Sequence, residues 1–229
     1  MHHHEDHLKS SDTIKDIVIG MSDGLTVPFA LAAGLSGAVN SSSIIVTAGI
    51  AEIVAGSIAM GLGGFLAGRT EVDHYNSELK REYDEIERIP EQEKQEVKEV
   101  FADFGLSTTL QDQIADEMAK DKDKWVDFMM RFELGLEKPQ ANRATQSALT
   151  IGASYIVGGI IPLSPYVFVP NSQTALLYSV IITLICLFIF GYLKSKVTGQ
   201  PAFSGALKVL VIGALAAGAA FLMAKLING

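Results

Sequence analysis

The hydrophobic pattern of this chain is a series of five long apolar stretches, separated by short polar connections and one long polar insert. Each stretch holds about 20 or more predominantly apolar residues, the length that a helix needs to cross a bilayer. The third and fourth stretches carry no charged residue. The pattern predicts an all-α membrane protein with five transmembrane helices, at residues 14–39, 44–68, 144–169, 174–193 and 203–227.

Most of the charge lies in the polar insert, residues 69–139. It contains 20 of the 26 acidic residues and 11 of the 18 basic ones, so its net charge is −9, whereas the rest of the chain carries +1. This distribution argues against a nucleic-acid-binding protein. The predicted domains are an N-terminal tail with the first two spans (1–68), a small helical domain (69–139) and the last three spans (140–229).

Basic residues flanking the spans predict the topology. Arg69 and Arg143 bracket the insert, whereas the connections at 40–43 and 170–172 carry no charge. The N-terminus and the insert are therefore expected in the cytosol and the C-terminus on the far side. The histidine run at residues 2–4 is assigned no function.

The insert shows helical periodicity. Apolar residues recur at spacings of three and four from Val72 to Ile86, so the second span is expected to continue as one long helix up to Pro90. Pro90 then begins a second helix that Gly105 ends, and a third begins near Ser107. The predicted buried face of the second of these helices consists of Val97, Val100, Phe101 and Phe104.

Two glutamate pairs with i, i+3 spacing lie on either side of Pro90. Like charges at this spacing are unfavourable in a bare helix, and they become favourable when a divalent cation binds between them. Methionine thioethers add softer ligands, which favours Fe²⁺ or a similar ion over Mg²⁺ or Ca²⁺. A solvated acidic face beside core methionines fits the same pattern, so the residues alone leave both interpretations open. The candidate metal ligands are Glu82, Glu85, Glu93, Glu96, Met129, Met130 and Glu133.

The first two spans contain acids deep in the apolar region. A charge there costs about 2.5–3.5 kcal/mol, so a functional role is the default interpretation. Asp23 and Met60 are expected at a similar depth and can form a metal station, and Glu52 can relay a metal ion or a proton. Pro28 leaves the Gly24 carbonyl without its helical donor, as in a broken helix that offers backbone oxygen to an ion. A plain kink at Pro28 and a packing role for Asp23 stay open.

These residues carry a resemblance to a known family. The first-span run that begins at Asp23, DGLTVPFAL followed by AGL, resembles the first-span signature of the vacuolar iron transporter family. The second-span sequence AEIVAGSIAMG around Glu52 and Met60 resembles that family's second span, and the helix over 71–85 resembles its cytosolic extension. The resemblance covers essentially the whole chain, including the number of spans and the position of the insert.

The resemblance implies a plant-type Fe²⁺/H⁺ antiporter that exports cytosolic iron into the vacuole. It also implies a homodimer in the vacuolar membrane, with the pathway between protomers and a cytosolic domain that collects metal. Asp23, Glu52 and Met60 match the family's translocation positions, and the seven insert residues named above match its cytosolic ligands.

The sequence also leaves two functions other than secondary transport open. A membrane-anchored metal sensor and a passive divalent-cation channel are the alternatives. An enzyme is not expected, because the sequence has no Ser/His/Asp or Cys/His arrangement and no phosphate-binding glycine loop. No resident cofactor is expected, since Fe²⁺ is the transported substrate and the ligands also suit Mn²⁺, Co²⁺ or Zn²⁺. The expected partners are the two transported ions, the lipid bilayer and a second copy of the chain.

Overall fold

The computed structural model describes residues 9–228, which form a series of helices. Five of these helices are long and apolar enough to cross a membrane, as the hydrophobic pattern predicts. In chain order the helices are α1 (Lys9–Ala38), α2 (Ser42–Arg88), α3 (Pro90–Asp103), α4 (Thr108–Met118), α5 (Lys122–Phe128), α6 (Arg143–Phe168), α7 (Ser172–Val197) and α8 (Ala202–Asn228), and a π-helical turn, Met129–Glu133, follows α5. The five membrane-spanning candidates are α1, α2, α6, α7 and α8.

The continuation of the second span as one long helix is confirmed, because α2 runs for 47 residues and ends just before Ile89 and Pro90. A residue that precedes proline is pushed out of the helical region, so the helix ends there. The predicted starts of α3 and α4 are also confirmed. One position of the predicted buried face is wrong. Phe104 is 70% exposed, because α3 ends at Asp103 and the chain turns away.

Two expectations for the N-terminal region have different outcomes. The histidine run at residues 2–4 and the start of the N-terminal tail lie outside the described residues. The first span is not broken at its proline, since α1 is continuous through Pro28.

The chain divides into two compact units. One consists of the described residues up to Phe65 together with those from Ala144 onward, and the other is Leu66–Arg143. We call them the membrane unit and the helical unit, and α2 contributes residues to both. Large apolar side chains on the outside of the membrane unit, such as Ile58, Leu149 and Leu215, are more than half exposed. A surface of this kind is stable when lipid covers it.

Small residues bring α1 and α6 into close contact inside the membrane unit. A Cβ atom placed on Gly24 would lie 2.4 Å from the carbonyl oxygen of Tyr155, and one placed on Gly158 would lie 2.9 Å from the backbone of Gly24. Close backbone approach through glycine is a common way for helices to associate in membranes, where lipid removes the hydrophobic drive. α8 packs against α1 and α7.

A reciprocal pair of serine hydrogen bonds joins the hairpin α1–α2 to the hairpin α6–α7. Ser42 Oγ, at the start of α2, donates to the Val169 carbonyl oxygen at 2.9 Å. Ser172 Oγ, at the start of α7, donates to the Val39 carbonyl oxygen at 3.4 Å. Both serines are buried. Each therefore satisfies a carbonyl near the C-terminus of the other hairpin's first helix, where the helix itself leaves it without a donor.

Two further contacts join the same hairpins. Ser41 and Asn171 form an isolated antiparallel bridge between the two turns. The hydroxyl oxygens of Ser36 and Tyr166 lie 2.9 Å apart, within hydrogen-bonding distance, and both residues are buried. Polar contacts therefore hold the two hairpins together near the α1–α2 and α6–α7 turns.

The helical unit has an apolar core of its own. Val97, Trp125 and Met129 are at most 3% exposed in a cluster that also includes Tyr75 and Ile86. Ion pairs reinforce the contact between α3 and α4, for example Lys98 Nζ to Asp112 Oδ1 at 2.7 Å. The amphipathic stripe of α2 beyond the membrane unit thus packs against the helices that follow it.

Candidate metal site and membrane carboxylates

Two glutamates in the helical unit are buried almost completely. Glu82 on α2 is 2% exposed and Glu93 on α3 is 1% exposed. The Oε2 atom of each is buried and has no hydrogen-bond partner among the described residues. A buried carboxylate oxygen without a donor is costly, and such oxygens are rare in folded proteins. The pair is therefore suited to a positively charged ligand.

The electrostatics of these two acids reflect both burial and neighbouring charge. Burial raises the pKa of Glu82 to about 7, with further contributions from Glu133 and Glu85. Burial likewise raises the pKa of Glu93 to about 7, and Glu96 is its strongest carboxylate neighbour. Each carboxylate disfavours ionisation of the others, so the group stores repulsion that a cation would relieve.

The other predicted glutamate ligands interact electrostatically with this pair. Partial desolvation raises the pKa of Glu133, and the Glu96 carboxylate adds to the effect. The structure thus groups the five predicted glutamates electrostatically, although α2, α3 and the π turn contribute them separately. Met129 and Met130 are at most 1% exposed and belong to the apolar core of the unit.

The carboxylates do not converge on one point. Among the described residues, no three His, Cys, Asp or Glu side chains are close enough together to hold one metal ion. Arg81 lies among the glutamates of α2, and its guanidinium contacts Glu78 and Glu85 at 2.6 and 3.5 Å. The geometry is that of a loosely assembled acidic group rather than a closed coordination shell.

In the membrane unit, Glu52 is held by a residue of another helix. Its Oε1 atom accepts a hydrogen bond from the hydroxyl group of Tyr155 on α6. Its Oε2 atom is buried and has no hydrogen-bond partner among the described residues. Tyr155 fits against α2 because Gly56 leaves room, since a Cβ there would lie 2.5 Å from the Tyr155 hydroxyl oxygen.

Asp23 and Met60 are half-buried on α1 and α2. In the part of the chain that the structure describes, no hydrogen bond links Asp23, Glu52 and Met60 directly. Asp23 immediately precedes Gly24, the residue at which α1 approaches the backbone of Tyr155 on α6. Glu52 also lines an otherwise mainly apolar cleft of about 530 Å³ between α1 and α8.

Comparison with known proteins identifies the family. Residues 14–225 match the VIT family. The chain belongs to this family. It is 53% identical to Vacuolar iron transporter 1 of Arabidopsis thaliana, covering 99% of this chain and 91% of that protein. It is 50% identical to Vacuolar iron transporter 1 of Tulipa gesneriana, covering 99% and 92%. It is also 40% identical to Protein CCC1 of Saccharomyces cerevisiae, covering 94% and 69%.

The resemblance found in the first two spans is thus confirmed. VIT family proteins are transporters and not enzymes, so the expectation that the chain has no catalytic activity is confirmed too.

Two features of this VIT family chain are not predicted from the sequence. Tyr155 lies in a span without charged residues, and nothing in the residues around it indicates a functional role. Arg81 falls within the acidic stripe of α2, where a single basic residue looks like an ordinary helix-surface ion pair. The sequence signal available for Tyr155 is a polar side chain in an apolar span, which has to find a partner on a neighbouring helix. The small residues of α2, such as Gly56, leave room for it.

Proposed function

We propose that the chain is a secondary transporter that moves cytosolic Fe²⁺ into the vacuole in exchange for protons. The observation that carries the proposal is the pair Glu82 and Glu93, whose buried carboxylates each leave an oxygen without a partner. Relatives about 50% identical over nearly the whole chain are named vacuolar iron transporters, which supports iron as the cargo and the vacuole as the destination.

In this proposal, residues 69–139 form a cytosolic domain that collects iron. The ligands are the four glutamates of α2 and α3 with Met129, Met130 and Glu133. Oxygen and thioether donors together suit Fe²⁺ and also accept Mn²⁺, Co²⁺ or Zn²⁺. A cluster of carboxylates also raises the local concentration of cations near the start of the pathway.

The proposed pathway runs through the first two spans. Asp23 and Met60 receive the ion, and Glu52 passes it or a proton onward. Two observations support this role for Glu52. Its Oε2 atom is buried without a hydrogen-bond partner, and the residue lines an open cleft. A carboxylate binds a cation when it is deprotonated and releases it when protonated, so an acidic lumen would drive exchange.

The proposal includes a homodimer in the vacuolar membrane, with the N-terminus and residues 69–139 in the cytosol and the C-terminus in the lumen. This part follows from the likeness of the spans to the family and from the basic residues that flank them.

Reconstitution tests the proposal. The purified chain is placed in liposomes, and Fe²⁺ entry is measured with and without an acidic interior. We expect entry that an inward-acid gradient accelerates and that Asp23→Asn and Glu52→Gln reduce strongly. Entry that is independent of the gradient would identify a passive channel, and metal binding without any entry would identify a sensor.

A further inference from the structure

Arg81 is a cation built into the acidic group of the helical unit. Its guanidinium lies 2.6 Å from Glu78 Oε2, 3.5 Å from Glu85 Oε2 and 4.0 Å from Glu82 Oε1. Two of these partners, Glu82 and Glu85, are proposed metal ligands, and Glu78 is not. The planar guanidinium fork suits simultaneous contact with several carboxylates, which a lysine ammonium reproduces less well.

Arg81 contacts two of the proposed ligands while the acidic group is open. Its guanidinium lies 3.5 Å from Glu85, whose side chain is 37% exposed. The buried Glu82 has its Oε1 atom near the guanidinium and its Oε2 atom without a hydrogen-bond partner. Among the described residues, no three acidic side chains are close enough to share an ion.

The influence of Arg81 extends beyond its own helix. Its positive charge opposes the rise in the pKa of Glu133 on the π turn, as it does for Glu82. A single half-exposed arginine thus partly neutralises carboxylates from two elements of the unit.

We propose that Arg81 is a resident competitor of the transported metal, which lowers the affinity of the acidic group so that the ion can be passed on. An arriving divalent cation takes Glu82 and Glu85 from the guanidinium, and Arg81 then remains with Glu78. Glu78 is thus the residue that retains Arg81 while the metal is bound. This inference rests on the proposed function, because it assumes that the glutamates bind metal.

The test compares metal affinity between variants of the full chain in detergent. Co²⁺ is titrated calorimetrically at about pH 8, where proton competition is small. Arg81→Gln is expected to bind Co²⁺ about tenfold more tightly, the order of magnitude for removing one unit charge near a partly exposed site. Arg81→Lys keeps the charge without the planar fork, so its affinity is expected to lie between those of the wild type and Arg81→Gln and closer to the wild type.

Arg88→Gln is the matched control. Arg88 is an exposed arginine at the end of the same helix, and it forms no ion pair among the described residues. The same charge change at that position is expected to alter the affinity less than twofold. The emission of Trp125, the one tryptophan of the chain, checks that the helical unit is folded in each variant.

The outcomes separate this inference from the function on which it rests. If the wild-type chain binds Co²⁺ and Arg81→Gln binds it with the same affinity, the competitor role is wrong and the transport proposal stands. Equal tightening by Arg81→Lys and Arg81→Gln would also overturn it, because the charge would then not be the cause. A wild-type chain that binds no Co²⁺ would overturn the metal-binding proposal together with the inference.

Discussion

Glu52, Glu82 and Glu93 share one residue-scale feature. Each is an acid with a buried carboxylate oxygen that has no hydrogen-bond partner among the described residues. Leaving such an oxygen unpaired costs about 1–3 kcal/mol, and more when the group is charged. Apolar residues of similar size would remove this cost. The presence of acids at these positions therefore indicates a ligand that compensates for it, and all three lie on the route proposed for the metal.

The raised pKa values of Glu82 and Glu93 predict how stability depends on pH. Both are about 7 in the folded chain, above the ordinary glutamate value of 4.5. The folded state therefore keeps protons that the unfolded state has released. The stability of the metal-free helical unit is expected to be greatest at about pH 5 and to fall by about 1–3 kcal/mol by about pH 8.

Trp125 makes this measurement specific to the helical unit. It is the one tryptophan of the chain and is 3% exposed in the core of that unit, so its fluorescence follows urea unfolding of the unit in the full-length protein. The control is Glu82→Gln/Glu93→Gln, whose amides do not titrate and which should lose most of the pH dependence. A wild-type stability that rises from about pH 5 to about pH 8 would contradict the prediction.

At this scale the sequence predicted part of the candidate site. The i, i+3 spacing selected Glu82 and Glu93 because like charges so close along a helix need an explanation. Spacing does not reveal burial, so their unpartnered oxygens became visible only in the folded chain. Tyr155 was not predicted, because it is neutral and its contact with Glu52 joins residues 103 positions apart.

At the scale of elements, the membrane unit depends on how closely its helices approach one another. α1 and α6 meet at Gly24 and Gly158, where backbone atoms leave no room for a side chain. This contact places Asp23, next to Gly24, beside the helix that carries Tyr155. The packing of α1 against α6 therefore places Asp23 near the helix whose Tyr155 binds Glu52.

Gly24→Ala is expected to destabilise the membrane unit. The added methyl group would lie 2.4 Å from the Tyr155 carbonyl oxygen, which belongs to backbone and cannot rotate away. Overpacking of this kind costs about 1–3 kcal/mol. A thermal melt of the purified chain in detergent, with Fe²⁺ entry into liposomes as a second readout, checks the loss.

Gly63→Ala is the matched control for that substitution. Gly63 lies in α2, and a Cβ atom there would have nothing within 4 Å. Replacing glycine by alanine inside a helix gains up to about 1 kcal/mol when nothing clashes. The control is therefore expected to melt at the same or a slightly higher temperature. Equal losses in both variants would show that the contact between α1 and α6 is not the cause.

The elements themselves were largely predictable. Long apolar stretches determine the five spans, and Pro90 and Ser107 mark the starts of α3 and α4, since these signals are local. The π turn at Met129–Glu133 was not predicted, because a single widened turn leaves no mark in the hydrophobic period. Phe104 was wrongly predicted to be buried, because the residue at which α3 ends depends on the turn that follows it and not on the hydrophobic period.

At the scale of the whole molecule, the proposed function divides between the two units. The helical unit would raise the concentration of Fe²⁺ that reaches the pathway, and the membrane unit would move it. With such a division, the helical unit would determine the apparent KM for Fe²⁺, because it collects the ion at low concentration. The membrane unit would determine the maximal rate, because it carries out translocation.

Transport kinetics of two variants test this division. Glu82→Gln/Glu93→Gln is expected to raise the apparent KM for Fe²⁺ entry about tenfold or more and to change the maximal rate little. Asp23→Asn is expected to lower the maximal rate about tenfold or more. Both are measured in liposomes with an acidic interior. A fall in the maximal rate alone for the helical-unit variant would contradict separate roles.

The reciprocal serine contacts between the two hairpins join positions with a constant separation in sequence. Ser36 and Tyr166 are 130 residues apart, and the same offset relates Ser42 to Ser172 and Val39 to Val169. Buried positions of α2 recur in α7 with this offset as well. The matched buried pairs are Ile45 and Ala175, Gly49 and Ser179, Ile53 and Thr183, Ser57 and Leu187, and Gly61 and Gly191.

A constant offset of contacts and burial means that the two hairpins pack through equivalent positions. The acids are not repeated at this offset. Where the first hairpin has Asp23 and Glu52, the second has Ala153 and Ile182. The two hairpins therefore share their packing positions, whereas only the first carries an acid at these two positions.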